Sequence, residues 1–165
     1  NNLQTAITKA SSGDELELVS NASIYYNVTI PDKTLKLDLN NYNLITTKPI
    51  INNGTLTIVD TILVDNSSEA ISKIENLNGS GIYNNGTLVL GVEDNTVYEY
   101  VPSIIGSVYG IENNSNLSVF DGRVYGIVDA VGGAVRTVSV PNGYTVETIE
   151  ETLNEVVYKY LNLKS

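Results

Sequence analysis

The chain has 165 residues, a formal net charge of -10 and no His, Cys, Met or Trp. Without Cys or His there is no disulfide framework, thiolate metal site or imidazole base, and the negative charge opposes binding to nucleic acid or to an anionic membrane. No stretch is long enough to span a membrane and no signal peptide is visible. Because the chain starts at Asn1 rather than Met, we expect it to be an excised piece or the mature portion of a longer protein.

The N-terminal segment predicts a short helix followed by a strand. Apolar residues recur there at the spacing of a helix face: Leu3, Ala6, Ile7 and Ala10. Gly13 is placed to end this helix, and the alternation in residues 15–19 predicts a strand. We therefore predict a helical cap over residues 1–13 at the beginning of a β domain.

The middle of the chain repeats one unit, which consists of an apolar residue, an Asn-Asn-small turn and an alternating strand. Close copies occupy residues 50–58, 82–90 and 111–119, and weaker copies occupy residues 31–37 and 134–140. Steps near 21 residues between matching apolar positions fit one turn of a β solenoid with three short strands, and longer steps fit a turn plus an outward loop. Stacked turns bury a continuous apolar column that a single turn cannot bury.

The Asn residues of the repeated turns form two columns if the turns stack in register. The inner column is predicted to contain Asn52, Asn84 and Asn113, and the outer column Asn53, Asn85 and Asn114. Asn tolerates the backbone conformation of a sharp corner, and stacked amides can hydrogen-bond along the column. A β sandwich can also use Asn-Gly turns, but the recurrence of whole segments favours a solenoid with a structural Asn ladder.

The C-terminal segment predicts a second helix. Its apolar residues keep helical spacing: Val146, Ile149, Leu153, Val156, Val157 and Tyr160. Thr148 and Glu151 fit a capping box, and Lys159 suits the C-terminal end of the helix dipole. We therefore predict a β domain over residues 1–143 and a helix over residues 144–165 that caps it, links it to another unit or assembles with one.

Several segments together resemble a known family. Residues 3–18, 28–31 and 35–40 look like the opening of pectate-lyase-like β-helix domains of bacterial, largely Firmicutes, surface proteins, and residues 81–88 (GIYNNGTL) resemble their repeats. The resemblance implies an all-β, right-handed parallel β-helix (solenoid) in a secreted or cell-surface protein. It also implies adhesion or polysaccharide binding, with lyase or hydrolase activity only in some members. No catalytic motif of the enzymatic members matches residue by residue.

Tyrosine is the strongest candidate for ligand contact, because the chain has 11 Tyr against one Phe. Tyr83, Tyr109 and Tyr125 lie near repeated strands, and the second and third belong to an echo, in which residues 108–111 recur as residues 124–127. Sugars stack on aromatic rings, so we predict a shallow binding groove lined by these side chains. The alternative is that tyrosine packs half-buried on strand surfaces.

Charged residues give a weaker signal. Asp60 and Asp121 occupy the same repeat position, which is suitable for a shared cation or an acid pair. Val92 interrupts this column in the intervening repeat, and no calcium-loop spacing is present. We therefore expect solvated turn carboxylates, an exposed ion pair at Arg123, and no metal or cofactor.

The sequence thus predicts a non-catalytic structural or adhesive module of a secreted or cell-surface bacterial protein. Its expected partners are polysaccharides or host and cell-surface glycans, bound weakly per site and strengthened by multiple copies. Three alternatives stay open. They are a polysaccharide-binding module that uses surface Tyr, an uncharacterised lyase- or hydrolase-like protein, and a filament subunit that self-associates through the solenoid ends.

Overall fold

The computed structural model describes residues 2–62 and 72–165. Residue 1 of the predicted cap and residues 63–71 of the predicted β domain lie outside these ranges. In the described ranges the chain runs through five coils of three short strands and ends in a hairpin. The strands in chain order are β1 Glu15–Glu17, β2 Ala22–Ile24, β3 Val28–Ile30, β4 Thr34–Asp38, β5 Asn43–Thr46, β6 Ile50–Asn52, β7 Thr55–Val59, β8 Lys73–Asn76, β9 Ile82–Asn84, β10 Thr87–Leu90, β11 Ser103–Gly106, β12 Tyr109–Asn113, β13 Asn116–Val119, β14 Arg123–Gly126, β15 Asp129–Gly132, β16 Thr145–Leu153 and β17 Val156–Lys164.

Strands at the same position in successive coils pair in parallel and build three sheets. Sheet A contains β1, β4, β7, β10 and β13. Sheet B contains β2, β5, β8, β11 and β14, followed at one edge by β17 and β16. Sheet C contains β3, β6, β9, β12 and β15. The prediction of a mostly β chain with stacked parallel turns is confirmed, and the architecture is β-helix-like.

The apolar core forms because each coil places its inward side chains above those of the coil before it. Sheet A aligns the matching positions of four predicted repeats: Leu35, Leu56, Leu88 and Leu117. These four side chains are at most 3% exposed. Removing one such leucine down to alanine costs about 2–5 kcal/mol in a packed core. The weaker fifth repeat touches sheet A through one parallel bridge, between Ser118 and Ser139.

The predicted N-terminal helix is present as α1, Leu3–Lys9. The Asn2 side chain accepts a hydrogen bond from the Thr5 backbone N–H at 2.8 Å and so caps its first turn. At the other end, Lys33 Nζ donates to the carbonyl oxygens of Ile7 and Ala10 at 2.9 and 2.7 Å, where a positive charge suits the helix dipole. Ile7 is buried in the main core, so α1 covers the first coil. No helix in the described ranges is long and apolar enough to cross a membrane.

The prediction of a C-terminal helix over residues 144–165 is wrong. This segment is the antiparallel hairpin of β16 and β17, and β17 also pairs antiparallel with β14. Asn154 and Glu155 join the strands with φ angles of 50° and 67°, as a two-residue hairpin turn with positive φ at both positions requires. Many Thr, Val and Ile residues favour the strands locally.

Tertiary contacts explain why the hairpin forms where a helical pattern is also present. Leu161 and Leu163 are each 6% exposed and belong to the main core, so the inner face of β17 closes the end of the solenoid. Tyr160, on the outer face, packs with Ile105 and Tyr125 of sheet B. A helix at this position could not pair with β14, so the backbone N–H and C=O groups along the edge of β14 would lack partners.

Candidate functional site

The inner Asn column is a buried, continuous hydrogen-bond ladder. Asn52 Nδ2 donates to Asn84 Oδ1 at 2.8 Å, and Asn84 Nδ2 donates to Asn113 Oδ1 at 2.7 Å. All three residues are 0% exposed. Each Nδ2 also donates to a backbone carbonyl of the next coil, on Thr87, Asn116 and Val135 respectively. These amides lock the corner between sheets C and A, because a buried amide needs partners for both its donors and its acceptor.

The outer Asn column runs beside the inner one at the surface. Asn85 Nδ2 donates to Asn53 Oδ1 at 3.1 Å, and Asn114 Nδ2 donates to Asn85 Oδ1 at 3.3 Å. Glycine is required next to the ladder, because a Cβ on Gly86 would collide with the carbonyl oxygen of Gly54 in the preceding coil. Both columns therefore stabilise the stacking of the coils.

The three tyrosines predicted to share a groove do not all lie on one sheet. Tyr83 and Tyr109 belong to sheet C, and the Tyr109 ring lies against Gly132, where a Cβ would collide with it. Tyr125 belongs to sheet B and is only 6% exposed. In sheet B it pairs with Ile105 of the previous coil, not with Tyr109, so the echo of residues 108–111 is not a coil register. The cavity that Tyr125 lines includes neither of the other two tyrosines.

Arg123, at the start of β14, organises a cluster on the outer face of sheet B. Its guanidinium carbon lies 4.2 Å from the centre of the Tyr100 ring and 4.3 Å from that of Tyr160. Its Nη1 donates to Tyr125 Oη at 3.2 Å and to Glu151 Oε2 at 3.3 Å. The residue is 8% exposed, so the expectation of an exposed ion pair is wrong. Arg123 therefore ties a loop, β14 and both hairpin strands together.

Burial and neighbouring groups decide the charges in this cluster. Burial by itself lowers the pKa of the Arg123 guanidinium, but the hydrogen bond to Tyr125 and the surrounding phenols raise that pKa above its usual value overall. Burial raises the pKa of Tyr125, although the hydrogen bond from Arg123 opposes the shift, and burial also raises the pKa of Tyr160. At neutral pH the guanidinium is therefore charged and the phenols are neutral.

A cavity of about 490 Å³ lies beside the Arg123 cluster, within the roughly 300–1,000 Å³ range of ligand pockets. Ile105 and Leu153 give it apolar surface, while Lys73 on its lining is paired with Glu75 at 2.7 Å. We refer to this cavity as the sheet B pocket.

Three residues that line the sheet B pocket each have a buried polar atom without a hydrogen-bond partner. Over the described residues, four buried side-chain atoms have no hydrogen-bond partner: Asn43 Oδ1, Asp60 Oδ2, Ser72 Oγ and Arg123 Nε. Three of the four belong to residues that line this pocket. A buried polar group without a partner costs about 1–3 kcal/mol. Because these atoms are buried, this cost falls on the stability of the fold.

No known protein family, characterised protein or solved structure matches this chain. The resemblance to pectate-lyase-like domains therefore depends on the sequence motifs alone. The sheet B pocket was not predicted, because its residues come from four coils and from a hairpin that had been predicted as a helix. The sequence feature that could have indicated this pocket is the placement of Arg123 and Tyr125 at alternate positions of a segment next to a predicted strand.

Asp60 and Asp121 anchor loops at the corner between sheets A and B, and the expectation that they are solvated is wrong. They are 3% and 6% exposed. Asp121 accepts hydrogen bonds from the backbone N–H groups of Tyr98 and Val92 at 2.8 and 2.9 Å. Both aspartates line a second cavity of about 120 Å³. Among the described residues, no three acidic side chains converge in a way that could hold a metal ion.

The buried carboxyl of Asp121 predicts a measurable pH dependence. Burial raises its pKa, although the two backbone hydrogen bonds oppose the shift, and the charge of Asp94 adds to it. Because the folded protein keeps this proton at a pH where the unfolded chain has lost it, the contribution of Asp121 to stability falls as pH rises through that window. We expect Asp121→Asn, which does not titrate, to gain stability relative to the parent protein between acid and neutral pH. Urea unfolding across that range tests this, and a constant difference would contradict it.

Proposed function

We propose that this chain is a non-catalytic structural and adhesive module of a secreted or cell-surface bacterial protein. We further propose that its coils close into a right-handed parallel β-helix of the pectate-lyase-like kind, since crossovers between parallel strands are almost always right-handed. The adhesive ligand in this proposal is a saccharide, which the module binds in the sheet B pocket.

The buried Asn ladder is the observation that carries the structural part of the proposal. Asn52, Asn84 and Asn113 connect successive coils through side-chain hydrogen bonds that no solvent reaches. Such a column fixes the register between coils in addition to the backbone ladders. A rod of this kind suits a spacer or display surface, where many weak sites act together.

The sheet B pocket favours saccharide binding as the adhesive mechanism. Its lining combines apolar Ile105, the Tyr100 ring and the hydrogen-bonding groups of Ser103 and Glu151, a mixture that suits the C–H faces and hydroxyls of a sugar. Arg123 is better suited to binding than to proton abstraction. A guanidinium that acts as a base must lose its proton, and the environment of Arg123 raises its pKa. These features favour a binding module over a lyase.

A glycan array probed with the folded chain tests the proposed ligand class. We expect selective retention of neutral or mildly acidic glycans and, by calorimetry, a loss of about tenfold or more in affinity for Tyr100→Ala. Tyr83→Ala, on sheet C, is the matched control and should leave the affinity unchanged. No retained glycan, or an equal loss from both variants, would reject the pocket as the binding site.

Antibody labelling of intact cells tests the proposed location independently of the ligand. An antibody against the folded chain should label unpermeabilised cells that produce the parent protein, and protease added outside should remove the signal. Labelling that requires permeabilisation would reject surface display while leaving the saccharide proposal to the array.

A further inference from the structure

β16 is an unusually long strand at the edge of sheet B. It contains nine residues, whereas the edge strands β1, β2, β3 and β15 contain three or four. Within the described residues, no strand pairs with its outer side. An edge strand presents a row of unpaired N–H and C=O groups that can accept another chain.

The backbone of β16 is held in a regular and rigid geometry. It pairs with β17 through nine consecutive residue pairs, from Thr145–Lys164 to Leu153–Val156, with no bulge. β17 is itself fixed by Leu161 and Leu163 in the core. Residues 144–165 contain no Pro. Short length, bulges, Pro and charged side chains are the usual means of blocking an edge, and β16 has only the last of these.

The charges on β16 favour a basic partner over a second copy of the chain. Its side chains include Glu147, Glu150 and Glu151 and no Lys or Arg. Two antiparallel copies centred on Ile149 would place Glu147 of each copy opposite Glu151 of the other. Like charges directly opposite one another destabilise a strand pair. The ion pair of Glu147 with Lys164, at 3.7 Å, is exposed and therefore exchanges readily.

We propose that β16 is a docking edge for an extended, Lys- or Arg-rich segment of another protein, which adds to sheet B as an outer strand. Backbone hydrogen bonds to β16 supply affinity. Glu147 and Glu150 lie three residues apart and therefore on opposite faces of β16, so basic side chains on both faces of the added strand meet them and set specificity. Neither glutamate lines the sheet B pocket, although Glu151 and Leu153 of the same strand do.

A synthetic peptide of repeated Val-Lys-Lys, as long as β16, presents Lys on both faces of the added strand and tests the proposal with the whole chain. Calorimetry should detect binding that weakens with salt, and the peptide should shift the backbone amide resonances of β16 in nuclear magnetic resonance spectra. Glu147→Lys combined with Glu150→Lys should weaken binding about tenfold or more and create binding to the matched peptide with Glu in place of Lys.

The variant Glu147→Gln with Glu150→Gln is the control for misfolding, because it removes the two negative charges without introducing positive ones. It should keep the thermal unfolding midpoint of the parent chain and bind the Lys peptide more weakly. Amide shifts confined to other strands, equal binding of the Lys and Glu peptides, or dimerisation of the chain through β16 at neutral pH would overturn the proposal. The glycan array tests the saccharide proposal separately.

Discussion

Asn84→Ala is expected to destabilise the folded chain by about 3–5 kcal/mol. The Asn84 amide accepts from Asn52 on one side and donates to Asn113 on the other, and it is 0% exposed. Alanine removes both hydrogen bonds and leaves polar groups of the neighbouring coils buried without partners. Each buried group left without a partner costs about 1–3 kcal/mol. Urea unfolding followed by circular dichroism measures the loss.

Asn85→Ala is the matched control for this experiment, because Asn85 is the next residue in the same turn and belongs to the exposed outer column. Its replacement should cost less than about 1 kcal/mol, since solvent can take over its hydrogen bonds. Equal losses from the two variants would show that the inner ladder is not what fixes the coils.

Leu161→Asp is expected to detach the hairpin and cause self-association. Leu161 is 6% exposed and packs in the main core at the end of the solenoid. A carboxylate cannot be buried there without a partner, and its burial costs several kcal/mol. Detachment would uncover the edge of β14, which β17 covers in the folded chain, and an uncovered edge pairs with other molecules. Light scattering after size-exclusion chromatography measures the resulting oligomers.

Val157→Asp controls for the added charge on the same strand. Val157 lies four residues before Leu161, on the same face of β17, and is 52% exposed. This variant should stay monomeric and keep its stability within about 0.5 kcal/mol. If Leu161→Asp also stays monomeric with unchanged stability, the hairpin is not the cap of the solenoid. Ordered filaments from Leu161→Asp would instead revive the filament alternative.

The stacking of the coils could be predicted because it depends on local repetition. Matching positions such as Leu56 and Leu88 recur with the same turn before each of them, and an inward side chain of one coil must meet its equivalent in the next. The same reasoning placed Asn52, Asn84 and Asn113 in one column. In these regions, residues that lie one repeat apart in the sequence are neighbours in the folded structure.

The hairpin could not be predicted because its apolar spacing fits two structures. Ile149, Leu153, Val156 and Tyr160 follow one another at steps of four, three and four residues, which suits a helix face. The deciding contacts are distant in sequence, because β17 pairs with β14 and fills the end of the core. A local pattern does not contain this requirement, so tertiary contacts overrode the helical period.

The sheet B pocket could not be predicted from the sequence for a related reason. Its chemistry depends on Asn43, Tyr100, Arg123 and Glu151, which come from separate coils, a loop and the hairpin. The burial of Asp60 and Asp121 was missed as well, because the loops that cover them are not part of the repeat. Sequence repetition predicts what is common to the coils, whereas the candidate site is built from what differs between them.

The coil-by-coil construction also has a mechanical consequence. Each coil contacts only its neighbours, and its strands run across the long axis of the solenoid. Tension applied between the two ends would therefore detach coils one after another instead of shearing all strands at once. A released coil of about 20 residues would add roughly 70 Å of contour length. In the proposed surface protein, this chain would lengthen stepwise under flow while its remaining coils stay folded.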